Sequence, residues 1–327
     1  MSDSVELRVQ IEGEELKEEA IGEIKAFVYI DNDDRHVDDL QIVTNDTSIF
    51  SGKKITASIA DKKRDGRNKT AVLNCGTFFI DDKKENSMID THIVKAAATT
   101  SAATFRQDEK CQAWERINLK KLALELTSRN GVQLIYATEF NPVFARKEQR
   151  YVSDIKMLAD VCSSVGLSLK FTNTAAVIYS PYEYAVTEAA RTFTRGDGDI
   201  TDDSLRHMEN GTGYGKCRLT YFDPVKKETI TGEYVSNDNP RTLQIRTKAS
   251  STEEANMIAK FALLQANAKE YTGYIECEGD IALCTGVAIE LKGYGEFDRK
   301  YIIKKAIHTI KGSLYTTKLY FEMAMGE

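Results

Sequence analysis

The last quarter of the chain constrains the fold most, because a helix of small apolar residues there runs directly into closely spaced strands. Ser251 and Glu254 predict a capping box, in which each side chain satisfies a free backbone amide of the other residue. The helix is expected to continue to about Lys269, and its buried stripe is narrow and formed by Ala255, Ile258, Ala259 and Ala262. Such small side chains favour close approach of the helix to a sheet.

Strand-forming segments follow this helix, namely Tyr274–Cys277, Val287–Leu291, Tyr301–Ile310 and Leu314–Met323. Turns between them contain Gly279, Gly286, Gly293, Gly295 and Gly312. We expect Gly286 and Gly293 to adopt positive φ, which any side chain would strain. Nothing in this module indicates catalysis, and the pattern is that of a building block.

The order of these elements resembles the phage late control gene D proteins, the baseplate hubs of contractile tails, which are related to the first half of VgrG. The resemblance rests on Glu254-Ala255, Gly279, Leu283, Gly286-Val287, Gly293–Asp298, Tyr301–Ile303, His308–Ile310 and Tyr315–Leu319. Two further stretches are similar to the same family, Leu73–Asp81 and Trp114-Glu115 with Gln149–Asp154. The resemblance therefore spans residues 45 to 323.

Composition indicates a globular chain of more than one domain. Its 327 residues exceed a single typical core, and hydrophobic (42%) and charged (29%) contents are ordinary. No apolar run is long enough to predict a membrane span, and Met1 to Leu7 lack the features of a signal peptide. The net charge of −6 argues against nucleic-acid binding by the chain as a whole.

Residues 1 to 100 predict mostly strands, and this number of short strands suggests a barrel or sandwich. The clearest is Glu23–Ile30, whose apolar face is expected to carry Ile24, Ala26, Val28 and Ile30. The others are Leu40–Val43, Lys54–Ile59, Ala71–Leu73, Thr77–Ile80 and His92–Ala96. The basic, polar loop 61–70 is interpreted as a solvated connection.

Residues 105 to 180 follow a different pattern, in which a capped helix, a glycine and a strand occur twice. Asn118 is expected to cap the first helix, which Gly131 ends, and Ser153 to cap the second, which Gly166 ends. This predicts a small α/β domain of two packed αβ units.

Several patterns that could carry chemistry are better explained structurally. The calcium-like segment 195–203 lacks the glutamate that an EF-hand loop requires. The glycine-rich segment 211–216 lacks phosphate-loop spacing and leads into a predicted hairpin of Cys217–Tyr221 and Glu228–Tyr234. The six cysteines and four histidines lack chelating spacing, which favours reduced, mostly buried thiols and no metal site.

Acidic clusters were considered as catalytic carboxylates. They are Asp31, Asp33, Asp34, Asp38 and Asp39, with Asp81-Asp82 as a second group. Catalytic pairs require one desolvated member, whereas dense acidic runs in polar loops indicate solvated surface charge. We therefore predict surface positions, with a possible contribution to electrostatic complementarity at an assembly interface.

The resemblance implies a structural baseplate hub that adapts a sixfold tail tube to a threefold spike, with no enzymatic activity, catalytic residue, cofactor or metal. The implied fold is α+β, mainly β, with β-barrel-like tube domains at 1–104 and 186–327 and the small α/β domain at 105–185. The expected protein is a homotrimer, made in the bacterial cytoplasm, that binds the tail tube protein, the spike protein and other baseplate proteins. The alternative is a carbohydrate-active hydrolase or an oligosaccharide- or peptide-binding β module.

Overall fold

A computed structural model describes residues 5–33, 37–51, 53–61, 71–86, 91–98, 108–171, 175–224 and 226–325. The loop at 62–70 and Asp34 lie outside these residues. The helices are α1 (Glu18–Gly22), α2 (Thr47–Ser51), α3 (Leu119–Ser128), α4 (Asp154–Ser164), α5 (Pro181–Ala185) and α6 (Thr252–Ala268). None of the described helices is long and apolar enough to cross a membrane.

Strands dominate the chain, which confirms the mainly β class. The first eleven are β1 (Val5–Ile11), β2 (Glu14–Glu15), β3 (Ile24–Asn32), β4 (Asp39–Thr44), β5 (Lys54–Asp61), β6 (Ala71–Asn86), β7 (Thr91–Ala97), β8 (Lys110–Asn118), β9 (Gln133–Ala137), β10 (Val143–Val152) and β11 (Ser168–Phe171). The rest are β12 (Ala175–Tyr179), β13 (Arg191–Thr194), β14 (Ile200–His207), β15 (Lys216–Asp223), β16 (Glu228–Val235), β17 (Thr242–Ile245), β18 (Tyr271–Glu278), β19 (Ala288–Lys292), β20 (Lys300–Lys311) and β21 (Leu314–Met323).

A single 13-stranded sheet contains strands from both ends of the chain, in the order β14-β18-β21-β20-β3-β4-β7-β6-β5-β1-β2, with β19 and β13 branching from β20. The two parts meet where β20 pairs with β3 in antiparallel register, from Lys305 opposite Asn32 to Ile310 opposite Phe27. The described strands do not close into a barrel. The barrel-like shape expected for each terminal part is therefore not confirmed.

Strand β3 buries the opposite face to the one predicted. Phe27, Tyr29 and Asp31 point into the core, whereas Ala26, Val28 and Ile30 are only half-buried on the other face. Strand alternation was identified correctly, but β3 is apolar on both sides. The aromatic face goes inward because larger rings remove more apolar area from water.

Strand β6 joins two segments that the sequence analysis separated. The expected strands Ala71–Leu73 and Thr77–Ile80 are parts of one strand, which is irregular where Gly76 has a φ of +102° opposite a register shift in β5. A glycine at positive φ is typical of a β-bulge, which bends a strand without ending it. The expectation of two separate strands is therefore wrong, because the irregularity at Gly76 does not end the strand.

The middle segment contains both predicted helix–glycine–strand units. The Asn118 side chain caps α3 by accepting from the Lys121 amide at 2.8 Å, as expected. Ser153 precedes α4 but makes no capping hydrogen bond, so that detail of the prediction is wrong. The strands of the two units do not pair with each other, because β12 lies between them, parallel to β9 and antiparallel to β11.

Helix α6 packs on a second, three-stranded sheet of order β16-β15-β17. The predicted hairpin is confirmed, but it forms this separate sheet and does not join the large one. Ser251 accepts from the Glu254 amide at 3.2 Å, whereas the Glu254 carboxylate accepts from the Ser250 amide at 2.9 Å rather than from Ser251. The Ser251 half of the capping box is therefore as predicted, whereas Glu254 caps the amide of Ser250, one residue before the expected Ser251.

Close contact between α6 and β16 requires Gly232. A Cβ built on Gly232 would lie 2.3 Å from the backbone carbon of Ala255. We expect Gly232→Ala to push α6 off the small sheet and lower the free energy of unfolding by about 2 kcal/mol. Denaturant unfolding would measure this. Gly198→Ala is the matched control, since Gly198 has no heavy atom within 4 Å and no positive φ; an equal loss in both variants would contradict the explanation.

Candidate functional site

Three carboxylates are buried where β3 ends and β4 begins. Asp31 is 1% exposed and Asp33 and Asp38 are each 6% exposed. The prediction of solvated surface is wrong for these three, although Asp39 is exposed as expected. Buried carboxylates are costly unless they are paired and hydrogen-bonded, so their partners define the site.

Asp31 connects three separate parts of the chain. It accepts from the Thr285 amide at 2.8 Å and from the Thr285 hydroxyl at 2.9 Å, and it forms an ion pair with Lys170 of β11. Lys170 also donates to the Thr285 hydroxyl oxygen at 2.8 Å. Burial opposes the charge of Lys170, but Asp31 and Asp38 outweigh it, and the pKa of Lys170 is raised. We call Asp31, Asp33, Lys170, Tyr179, Thr285 and Lys304 the charged junction.

Asp33 makes the second connection of the charged junction. It accepts from the Tyr179 hydroxyl at 2.6 Å and pairs with Lys304 of β20. Gly286 packs against this contact, since a Cβ on it would lie 3.1 Å from the Tyr179 hydroxyl oxygen. Gly286 has the expected positive φ, +81°, so both conformation and space favour glycine here. The middle α/β segment is thereby fixed to the large sheet.

Asp38 lies beside the charged junction and is held by neutral donors. It accepts from the Tyr29 hydroxyl at 2.9 Å and from the Asn32 amide at 3.0 Å. Burial raises its pKa to about 6, with Lys170 opposing the shift and Asp31 adding to it. Of the three buried carboxylates, Asp38 is therefore the one whose negative charge is least offset by a bonded cation.

Two parts of the family-like pattern contact each other directly. The Nδ1 atom of His308 lies 2.8 Å from the Tyr315 hydroxyl, and the His308 ring stacks on Tyr29 with centroids 5.9 Å apart. Burial lowers the pKa of His308 to about 4, so the ring is neutral near pH 7. These pattern residues connect β20, β21 and β3, which is a structural role.

The pattern residues of the middle segment also surround a buried carboxylate. Asp154 is fully buried and accepts from Arg129, Gln149, Lys110 and Asn130. Burial opposes its ionisation, but hydrogen bonds from Arg129 and the other donors hold the pKa of Asp154 well below its usual range. Sequence reasoning missed this role, and an aspartate at the start of a helix was the only available signal.

The segments considered for metal or nucleotide binding have structural roles. Strand β15 begins at Lys216, where a phosphate loop would require a helix. Within the described residues, no three potential ligands from His, Cys, Asp and Glu are grouped to hold a metal. All six cysteines are free thiols; Cys111 is exposed, Cys284 is half-buried and the other four are buried. The absence of cofactors stays a prediction.

The large sheet has exposed edges at both ends. Strand β14 pairs only with β18 among the described strands, and β1 pairs with β2 only at Gln10 and Ile11. The free edges carry charges of both signs, with Glu6 and Arg8 on β1 and Asp202 and Arg206 on β14. Unpaired strand edges are surfaces on which another chain can add.

No known protein family matches the sequence, and no curated protein matches it significantly. Solved structures do match over nearly the whole chain. The 43 kDa tail protein of prophage MuSo2 from Shewanella oneidensis has a TM-score of 0.67 at 11% identity, covering 99% of this chain and all of that one. The tail protein from Neisseria meningitidis MC58 has a TM-score of 0.71 at 12% identity, covering 98% and 96%.

An Escherichia coli type VI secretion component, described as similar to the T4 tail proteins gp27 and gp5, also matches. Its TM-score is 0.57 at 11% identity, and the match covers 98% of this chain and 77% of that one. Identities this low establish a shared fold. The fold is therefore that of phage tail proteins and of a related secretion component.

The charged junction can be tested by removing its central cation. Lys170→Met would leave Asp31 ionised and buried beside Thr285 alone, and we expect the free energy of unfolding to fall by about 3 kcal/mol. Denaturant unfolding at neutral pH measures the loss. Adding Asp31→Asn to Lys170→Met should recover part of it, because the neutral amide oxygen can still accept from Thr285.

Lys156→Met is the matched control. Lys156 pairs with Asp160 at 3.3 Å, but both side chains are about half exposed. Exposed helix pairs contribute less than about 0.5 kcal/mol, so this variant should be nearly as stable as the parent. Equal losses for Lys170→Met and Lys156→Met would show that the charged junction contributes nothing beyond a surface ion pair.

Asp38 predicts a pH dependence of stability. Its pKa is raised to about 6, so the folded state binds the Asp38 proton more tightly than the unfolded state does. Stability from this group therefore increases as pH falls through 6 towards the ordinary aspartate pKa of about 4. Asp38→Asn lacks the titration, and between pH 7.5 and 4.5 the parent should gain about 2 kcal/mol relative to it. Asp39→Asn, at the exposed neighbour, should show no such change when both are followed by denaturant unfolding.

Proposed function

We propose that this chain is a structural baseplate hub protein of a contractile phage tail or a phage-tail-like particle. The observation that carries the proposal is the whole-length match to tail proteins, which leaves almost no part of either chain unmatched. The resemblance to late control gene D proteins supports the hub role in particular. The residues that carry this resemblance, such as His308 and Tyr315, are those that hold the C-terminal strands to β3.

In this proposal residues 1–104 and 186–327 are two related tube domains, and residues 105–185 form the separate α/β domain. A homotrimer with two such domains per chain presents six similar units, which is the physical reason that a threefold hub can contact a sixfold tube. The charged junction would hold the α/β domain at a fixed angle to this ring. Function would then depend on extended interfaces.

Strand directions support closure of such a ring. Nine successive antiparallel pairings lead from β14 to β1, so these two edge strands run in opposite directions. In a cyclic assembly, β1 of one copy would therefore meet β14 of the next copy in antiparallel orientation, which continues the sheet. A head-to-tail contact of this kind closes into a ring when the rotation between copies allows it.

Side chains on the two edges are compatible with one register. If Leu7 lies opposite Leu205, Glu6 lies opposite Arg206. Arg8, which donates to Glu6 within one copy at 2.7 Å, then lies diagonally between Asp202 and Arg206. Leu7 is buried and Leu205 packs partly on the core of the C-terminal strands, so both belong to the same face. Opposite charges across neighbouring strands stabilise the pairing, and like charges oppose it.

The proposed partners are two further copies of the chain, the tail tube protein, the spike protein and other baseplate proteins. The protein would be made in the bacterial cytoplasm and assembled into the virion or tail-like particle. No observation favours a hydrolase or a carbohydrate-binding module, and the buried carboxylates Asp31, Asp33 and Asp154 are paired inside the fold. The structural neighbours are tail proteins, which fits a role without enzymatic activity.

Charge reversal at the edges tests the ring. The purified protein should be a trimer by light scattering, alone or after mixing with its spike protein. Glu6→Arg and Arg206→Glu should each weaken the trimer, because each places like charges opposite one another, and the double variant should restore it. The expected loss is on the order of a hundredfold in the association constant of the trimer, from about 1 kcal/mol at each of its three repeated contacts.

Glu188→Arg is the control, because Glu188 is exposed and belongs to neither edge strand. It should leave assembly unchanged. A strict monomer in the presence of spike protein would contradict the hub proposal itself. If neither charge reversal weakens the trimer, the hub proposal stands but this pairing of β1 with β14 is wrong.

A further inference from the structure

A cavity of about 500 Å³ lies beside the charged junction and contains two thiols that are distant in sequence. Cys75 comes from the irregular part of β6, and Cys284 from the turn that precedes β19. Lys170 and Asp31 line the same cavity. Both cysteines are free thiols, and the assembly proposed above uses neither of them.

The two thiols differ in their readiness to react. Cys284 is half-buried and directly precedes Thr285, whose hydroxyl oxygen accepts from the Lys170 ammonium group at 2.8 Å. A dissolved oxidant reaches a half-buried thiol more readily than a fully buried one, and exposure is one of the conditions for a reactive cysteine. Cys75 is buried, and burial raises its pKa, with Cys284 and then Asp31 adding to the effect. Cys284 is thus suited to react first and Cys75 to react second.

Backbone around both thiols is irregular, which allows the small movements that a disulfide requires. Cys75 precedes Gly76, where β6 has positive φ and a register shift against β5. Cys284 lies two residues before Gly286, which also has positive φ. The pairing of β5 with β6 skips Cys75, and Cys284 lies outside any strand, so neither thiol is held in the middle of a regular strand pairing.

We propose that Cys75 and Cys284 form a redox lock, in which hydrogen peroxide converts the thiol pair to a disulfide across this cavity. The Cys284 thiolate attacks one peroxide oxygen, the O–O bond breaks, and the departing hydroxide is protonated to water. This leaves a sulfenic acid on Cys284. The Cys75 sulfur then attacks the Cys284 sulfur, the S–O bond breaks, and the hydroxyl leaves with the Cys75 proton as a second water molecule.

The disulfide would connect β6 of the N-terminal part to the turn that presents Thr285 to Asp31. It would therefore reinforce the contact that holds the terminal parts and the α/β segment together. A cross-link between residues so far apart in sequence restricts the unfolded chain strongly. Cys75 and Cys284 would be thiols in a reducing environment and joined by a disulfide in an oxidising one.

Peptide mapping of the whole folded protein tests the lock. After brief exposure to hydrogen peroxide, proteolysis and mass spectrometry should detect a peptide pair that joins Cys75 to Cys284. The melting temperature should rise by on the order of 5 °C and return to its starting value after reduction with dithiothreitol.

Single substitutions separate the two chemical steps. Cys75→Ser should stop the reaction at the sulfenic acid, so that dimedone labels Cys284. Cys284→Ser should leave Cys75 as a thiol under the same treatment. Cys111→Ser is the matched control, because Cys111 is exposed on β8 and should not affect the cross-link.

Two results would overturn the proposal. One is oxidation confined to Cys111. The other is conversion of Cys284 to sulfinic acid in the parent protein without any cross-link to Cys75. Near-ultraviolet circular dichroism of each variant before oxidation establishes that the comparison is made between folded proteins.

Discussion

The buried ion pair between Asp31 and Lys170 is the interaction on which the arrangement of the molecule depends. Removing two charges from water is costly, and the cost is offset only when geometry and additional hydrogen bonds are favourable. Here Thr285 supplies those bonds through its amide and its hydroxyl. Because the three residues come from an N-terminal strand, the middle segment and a C-terminal turn, the charges are satisfied only when all three parts are in place. The ion pair therefore connects all three parts of the chain at one point.

The residues that carry the family-like pattern share this connecting role. His308 and Tyr315 bond to each other inside the sheet, and Asp154 gathers donors from α3, β8 and β10. Each of these side chains is buried and makes a hydrogen bond inside the fold. A pattern of this type identifies the contacts that keep a fold together across very different sequences. It is consistent with the match to tail proteins at about one identical residue in nine.

The proposed hub role would require surfaces rather than a pocket, and the large sheet has edge strands at both of its ends. Its edge strands have unpaired backbone groups at opposite ends, and these can continue a sheet into another copy with little dependence on side-chain identity. Side-chain charges then select the register and the partner.

The sequence by itself determined the local elements that depend on neighbouring residues: the Asn118 cap, the repeated helix–glycine–strand units, the C-terminal strands and the positive φ of Gly286. Hydrophobic periodicity and the residue preferences of turns and caps depend on a few neighbouring residues, so these elements can be predicted from the sequence. Tertiary structure decided which face of β3 is buried, that β20 pairs with β3, that β12 lies between the two units, and that three aspartates of an acidic loop enter the interior. Most of these depend on distant partners, such as Lys170 for Asp31, 139 residues away, and β20 for β3. An aspartate beside other aspartates indicates surface charge until the structure provides the distant cation that neutralises it.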